Sequence, residues 1–239
     1  MFALGLLPLV VLSAGATSSV VDRVAAEFGH RAGREVIVRV GTVGQIQKQL
    51  AGGAQADVVI VSGKAMRVLV QRGAIVPGTR ADLGRSGMGV AVRTGTPLPD
   101  ISSPRALKET LLAARSIAAT DPKAGASSGI YFEHMLERMG IAAAVAPKEM
   151  LVPGGRSCDL VARGKADLCA QNITEIVPVK GVVLVGPFPA AVQNYITYSA
   201  AVLTRAASPE AARAFVSTLS APRRAALWRR AGFTPTSRR

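Results

Sequence analysis

Apolar residues run along this chain in two rhythms. Compact β-branched runs, as at residues 36–40 and 57–61, alternate with stretches whose apolar positions recur every three or four residues, as at Val20, Val21, Val24, Ala25 and Phe28. The first rhythm predicts strands of a parallel sheet buried on both faces, and the second predicts helices packed on that sheet. In order, the pattern predicts a strand at 7–12, a helix at 20–28, a strand at 36–40, a short helix at 45–50, a strand at 57–61 and a helix at 65–71 closed by Gly73. Strand and helix in regular alternation imply right-handed crossovers in a parallel sheet. A further strand is expected at 88–92, after which Pro97, Pro99 and Pro104 interrupt the pattern before a helix at 106–114. Beyond that break come strands at 117–120, 150–152, 167–171 and 182–185, with helices at 130–139 and 157–163. A strand at 195–202 can carry the chain back to the first lobe, and helices at 209–219 and 222–231, each opened by proline, close it. The predicted fold class is therefore α/β, with a mixed, mostly parallel sheet in each of two lobes and a two-strand hinge. Residues 1–86 plus 196–239 are expected to form lobe I and residues 87–195 lobe II, with a ligand cleft between them.

Composition narrows the functional classes. Hydrophobic residues make up 49% of the 239 and charged residues 18%, which excludes extended disorder. Aromatics, at 4%, are too sparse for stacking platforms that hold bases or sugars. Lys and Arg outnumber Asp and Glu by 29 to 15, a formal charge of +14, but they are scattered mostly singly, which argues against a nucleic-acid partner. The one dense basic group, Arg223–Arg224, Arg229–Arg230 and Arg238–Arg239, reads as a solvated helix face and tail, a docking patch being the alternative. Cys158 and Cys169 are the only cysteines, and without a CxxC or Cys/His cluster neither a metal nor a cofactor is expected. The sequence leaves disulfide and thiols open; free thiols are the expectation, because a helix start and the next strand usually hold such positions too far apart.

The N-terminus has two readings. Met1 to Leu12 followed by Ser13-Ala-Gly-Ala16 resembles the apolar part and cleavage site of a secretory leader, but it lacks the basic start. Cutting after Ala16 would remove the first strand, so the segment is read as that strand, any leader lying upstream or being absent.

Candidate chemistry lies in the loops. Asp121-Pro-Lys-Ala-Gly-Ala-Ser-Ser-Gly129 joins an apolar strand to a helix, and Ser13-Ala-Gly-Ala-Thr-Ser-Ser19 and Gly41-Thr-Val-Gly44 do the same elsewhere. Small residues let a ligand approach the main chain, hydroxyls donate, and the unpaired N–H groups at a helix start face negative charge. None carries a Walker lysine or a dinucleotide fingerprint, which favours a small oxyanion over a nucleotide.

Two further segments complete a pattern. They are Gly52-Gly-Ala-Gln-Ala-Asp-Val-Val-Ile60 and Val161-Ala-Arg-Gly-Lys-Ala-Asp-Leu168. Together with the loops above, they make the chain resemble, over nearly its whole length, the molybdate-binding periplasmic protein family, the type II solute-binding proteins of ABC importers, as a divergent member. That resemblance implies two α/β lobes closing over an anion held by hydroxyls and main-chain N–H groups. It implies a small anionic ligand, an ABC permease of the inner membrane as partner, a monomer, and a periplasmic location, the unclear leader leaving the cytoplasm as the alternative. By position it implies ligand contacts at Ser13 and Ala14, at Thr42 and Val43, at Ala126, Ser127 and Ser128, and at Gly155, Arg156 and Ser157. The family's tyrosine falls at Asn172, a departure that suits a larger or less symmetric anion such as a carboxylate.

The function expected is capture of a small oxyanion or organic anion for import. The alternative is a carboxylic-acid isomerase of aconitate type on the same scaffold, with Glu175 as base toward an acidic C–H. A ligand-sensing domain of a transcription regulator shares the architecture, but no helix-turn-helix segment is visible. Neither His30 nor His134 has a nucleophile partner at useful spacing, so no other catalytic residue is expected. Asp57 reads as architectural, Arg156 slightly better as a solvated loop residue than as an anion clamp, and Tyr195 and Tyr198 as packing along the hinge strand.

Overall fold

The computed structural model describes residues 6–154 and 156–234. The start of the leader-like segment, Gly155, and the tail with Arg238 and Arg239 lie outside the described residues. Contacts divide the chain into two units, Met1–Arg85 with Thr197–Arg239, and Ser86–Ile196.

The first unit opens with β1 (Leu9–Ala14), α1 (Ser18–Ala32), β2 (Val36–Gly41), α2 (Val43–Ala51), β3 (Val58–Ser62) and α3 (Gly63–Gln71). Each helix has a local reason to start or stop. Gly33, at a left-handed φ of 58°, ends α1, and Thr42 opens α2 with a capping box in which its hydroxyl accepts from Gln45 N while the Gln45 side chain accepts from Thr42 N. Every residue of β3 is buried, as its unbroken apolar run predicts. Asp57, just before it, fixes two distant pieces of backbone, its carboxylate accepting from Val10 N at 2.8 Å and Ser208 N at 2.9 Å. It is a framework residue.

β4 (Ala81–Ser86) is not marked by any apolar run, and only pairing with the rest of the sheet makes this polar, Gly-containing segment a strand. The second unit then contains β5 (Met88–Arg93), α4 (Pro104–Ala113), β6 (Ile117–Thr120), α5 (Ser127–Arg138), α6 (Ala142–Val145), β7 (Glu149–Val152), α7 (Cys158–Ala162), β8 (Leu168–Asn172), α8 (Ile173–Ile176) and β9 (Val182–Pro187). Its sheet has the order β7-β6-β8-β5-β9, with β6 parallel to β7 and β8, and β5 antiparallel to β8 and β9. Strand alternation sorts the side chains into two layers. Ile117, Ala119, Leu168 and Ala170 pack with Leu107, Phe132 and Met135, whereas Ala118 and Cys169 pack with Cys158, Val161 and Ile176. Thus α4 and α5 cover one face, and α7 and α8 cover the other.

The chain returns through β10 (Ile196–Val202), followed by α9 (Pro209–Ser220) and α10 (Ala225–Arg230). β10 lies antiparallel to β3, completing the order β2-β1-β3-β10-β4. Mixed, mostly parallel five-stranded sheets of this kind are the type II binding-protein architecture expected from the sequence. The closing segment departs from expectation. A single helix over 222–231 gives way to a short 3-10 turn before α10, and Arg224 is not a solvated charge: its guanidinium meets Glu27 of α1 at 2.6 Å with only 12% of the side chain exposed. Tyr198 packs edge-on to Phe233 at 6.1 Å, but Tyr195 is half exposed.

Candidate ligand-binding site

In the first unit, the parallel register places Ala14 opposite Gly41. Ser13 and Ala14 therefore stand beside Thr42 and Val43 at the carboxyl edge of the sheet, where α/β proteins bind ligands. Their hydroxyls already have local work. Thr17 Oγ1 donates to Ala14 O at 2.8 Å, and the fully buried Ser13 Oγ lies 2.8 Å from Thr17 Oγ1. Ser13 Oγ also reaches Ala14 O at 3.3 Å, so its proton turns toward an anion only if this local set of bonds reorients. Thr42 accepts from Gln45 N at 3.1 Å as the cap of α2, with Val43 as the first helical residue. Ser62, at the end of β3 and capping α3, sits on the same edge. Ser62 is not among the residues expected from the sequence, although Ser62-Gly63 after an apolar run carries the same signal as the other loops.

In the second unit, the loops after β6, β7 and β8 share one carboxyl edge. Ala126 precedes α5, Ser127 and Ser128 open it without capping it through their side chains, and Ala126 and Ser128 are buried. The helix can start this close to β6 only because residue 129 has no side chain: a Cβ there would lie 2.1 Å from Thr120 O. Arg156 does not join the buried set; its side chain is 82% exposed and pairs with Asp159 at 2.7 Å. Ser157, by contrast, is fully buried and donates to Gln171 Oε1 at 2.6 Å.

Cys158 and Cys169 form a disulfide with a Cα separation of 5.3 Å, which corrects the expectation of free thiols. The physical reason is the packing of α7: this five-residue helix lies directly on β8, so its first residue faces the strand instead of standing off at loop distance. Replacing both cysteines by alanine is expected to lower stability by about 2 to 3 kcal/mol, from the chain entropy of an eleven-residue separation, measurable by urea unfolding.

Asn172 and Glu175 meet at the end of β8. Asn172 is buried, and its Nδ2 donates to Glu175 Oε2 at 3.0 Å across the first turn of α8. Part of Glu175 reaches solvent, whereas its carboxyl is enclosed by protein, and that burial pushes its pKa up from an ordinary 4.5 to about 7. The amides of Asn172 and Gln171 oppose the shift and offset only part of it. The Gln171 amide lies beside the carboxyl but short of a full hydrogen bond, for its Nε2 is buried and has no partner among the described residues. Thr120 Oγ1 and Thr174 Oγ1 are likewise buried and unpartnered. Thr120 follows Ala119, which pairs with Ala170, so it lies alongside Gln171 on the neighbouring strand. Unsatisfied buried polar atoms cost stability, and a carboxyl shifted toward neutrality by burial marks a candidate functional position. The arrangement can exchange a proton with a weak carbon acid at ambient pH. The two histidines contribute nothing comparable: both are on α1 or α5, and His134 sits exposed beside Glu137 at 3.1 Å.

Comparison with known proteins agrees with this architecture. The family model described as bacterial extracellular solute-binding protein matches residues 9–234. An aconitate isomerase from Pseudomonas sp. is 34% identical over 218 residues, covering 89% of this chain and 82% of the relative. The molybdate-binding protein ModA of Escherichia coli is 27% identical over 229 residues, covering 95% of this chain and 88% of that protein. Among solved structures, the periplasmic molybdate-binding protein of Azotobacter vinelandii superposes with a TM-score of 0.80 at 20% identity, covering 96% of this chain and all of the other, a likeness of fold.

Proposed function

Since this chain belongs to the bacterial extracellular solute-binding proteins, we propose that it binds a small tricarboxylate and isomerises it, with Glu175 carrying the proton. The observation that supports this reading best is the enclosed Glu175 carboxyl, its pKa pushed up to about 7 by burial and hydrogen-bonded to Asn172, where the resemblance to molybdate binders implies a tyrosine. The 34% identical aconitate isomerase points to the same ligand class. A carboxylate near pKa 7 is strong enough as a base, and its acid strong enough as a donor, to work in both directions at neutral pH.

In an aconitate-like ligand, the methylene group flanked by a carboxylate and a C=C bond is the acidic position. Glu175 takes a methylene proton; the electron pair left behind forms the new double bond, and the former alkene carbon receives the proton back from Glu175. Atoms and electrons balance within the ligand and one carboxyl. Hydroxyls and main-chain N–H groups at the strand ends supply donors that replace the hydration of the ligand's carboxylates. The Cys158–Cys169 disulfide fits an oxidising compartment such as the periplasm.

The second reading, a receptor delivering an anion as a monomer to an ABC permease of the inner membrane, is favoured by the uncharged donors at the strand ends and by the 27% identical molybdate-binding protein. Calorimetry with cis-aconitate, trans-aconitate, molybdate and sulfate, paired with an ultraviolet assay of aconitate interconversion, separates the two. Tricarboxylate binding with turnover is expected; molybdate binding without any aconitate binding would remove the isomerase reading.

A further inference from the structure

We propose that Gln171, held from behind by Ser157 and the Cys158–Cys169 disulfide, is the positioning residue that keeps the Glu175 carboxylate in place as a base, an inference that deepens the isomerase reading and rests on it for its catalytic consequence. The geometry is a relay. Ser157 Oγ donates to Gln171 Oε1 at 2.6 Å, so the amide oxygen is fixed and the amide can present only Nε2 on its other side. Cys158, next to Ser157, is tied covalently to Cys169, two residues before Gln171 and on the same face of β8. Ser157 is thereby held over the strand. Gln171 Nε2 is buried without a partner, an arrangement that costs free energy unless another state of the protein uses the donor. The carboxyl of Glu175 lies beside it, and when ionised that group attracts the N–H that stands just short of it. Asn172 Nδ2, at 3.0 Å, is the donor already in place, and closure of Gln171 Nε2 onto the ionised group would add a second.

Among the described residues no charged group acts on Glu175. Of the strands packed on α8, β8 and β9 carry no titratable side chain, and β5 carries only Arg93, at the end of the strand far from Met88, which pairs with Asn172. Burial and the two amides are the causes that act on Glu175. Removing one amide therefore takes away a donor that favours the ionised form, and the titration of Glu175 moves up.

The test follows the carboxyl itself, by 13C NMR of protein labelled at glutamate Cδ, with the Glu175 resonance assigned by its loss in Glu175→Gln. Gln171→Met, close in size but without the amide, is expected to raise the Glu175 midpoint by about one pH unit. Ser157→Ala, which frees the amide to rotate, is expected to raise it by less, and Gln171→Leu serves as a second variant should Gln171→Met fold poorly. The acid limb of kcat/KM is expected to move with the midpoint, kcat at high pH returning toward wild type. A midpoint unmoved in the folded variants overturns the inference, as does a rise in KM with no change in the pH profile, which would make Gln171 a ligand donor instead. Because the titration needs no turnover, a shifted midpoint in a protein that fails to isomerise aconitate would uphold the relay and reject only the isomerase.

Discussion

Glu175→Gln is expected to lower kcat for aconitate interconversion by about 100- to 10,000-fold, the usual worth of a positioned general base, while tricarboxylate affinity stays within roughly tenfold. Gln keeps the size and a hydrogen-bonding oxygen for Asn172 but cannot take a proton. The pH dependence has a definite sign. Glu175 must be ionised to accept the proton, so wild-type kcat/KM is expected to rise with pH through about 7 and level off above it. Stability runs the other way. A carboxyl whose folded pKa is raised from 4.5 to about 7 favours the folded protein only while protonated; that contribution is complete below 4.5 and is lost as pH rises through 7. The folded state then carries an enclosed charge, and Glu175→Gln is expected to gain up to roughly 3 kcal/mol over wild type above pH 8, read as a higher Tm. Loss of turnover together with gain of stability is the pairing of a site residue, which a framework residue does not produce.

The second large effect concerns the entry to α5. Gly129→Ala places a methyl where the nearest atom, Thr120 O, is 2.1 Å away, with the Thr120 carbonyl carbon at 3.0 Å. Both are backbone, so no side chain can swing aside, and the start of α5 must move off β6. The expected cost is at or above about 3 kcal/mol, the upper end for overpacking a well-filled interior, measurable as a drop in the urea midpoint. Ser127 and Ser128 move with the helix, and ligand affinity is expected to fall in whatever fraction remains folded.

Most of the longer elements were readable from residue patterns because the driving interactions are local, whereas the four-residue helices α6 and α8 were not. β3 is an apolar run and α3 falls where the spacing over 65–71 puts it, whereas α1 runs on to Gly33, past the expected end at 28, and α4 begins at Pro104, read from the sequence as an interruption, with Ser103 accepting from Ala106 N. β4 was not readable, since its Ala-Asp-Leu-Gly-Arg-Ser sequence has no strand signal of its own and depends on partners far along the chain. Nor was the disulfide, for a helix of five residues packed flat on a strand brings its first residue closer than the spacing of helix and strand suggests. At the candidate site, the glycine- and serine-rich loops stood out, and so did Glu175 as a conditional base. The Ser157–Gln171 bond did not, because it depends on the register of two segments fourteen residues apart. The same limit hid the enclosure of Glu175. Two residues of a short polar stretch, Gln171-Asn172, face opposite layers of the sheet, and only packing reveals that both bear on one carboxyl.

The most direct test is proton NMR of trans-aconitate incubated with the wild-type protein in D2O near pH 8. Conversion to the cis isomer is predicted, with deuterium appearing at the carbon that receives the proton and both signals absent with Glu175→Gln. Tight tricarboxylate binding with neither isomerisation nor deuterium uptake would contradict proton transfer by Glu175 and leave a receptor.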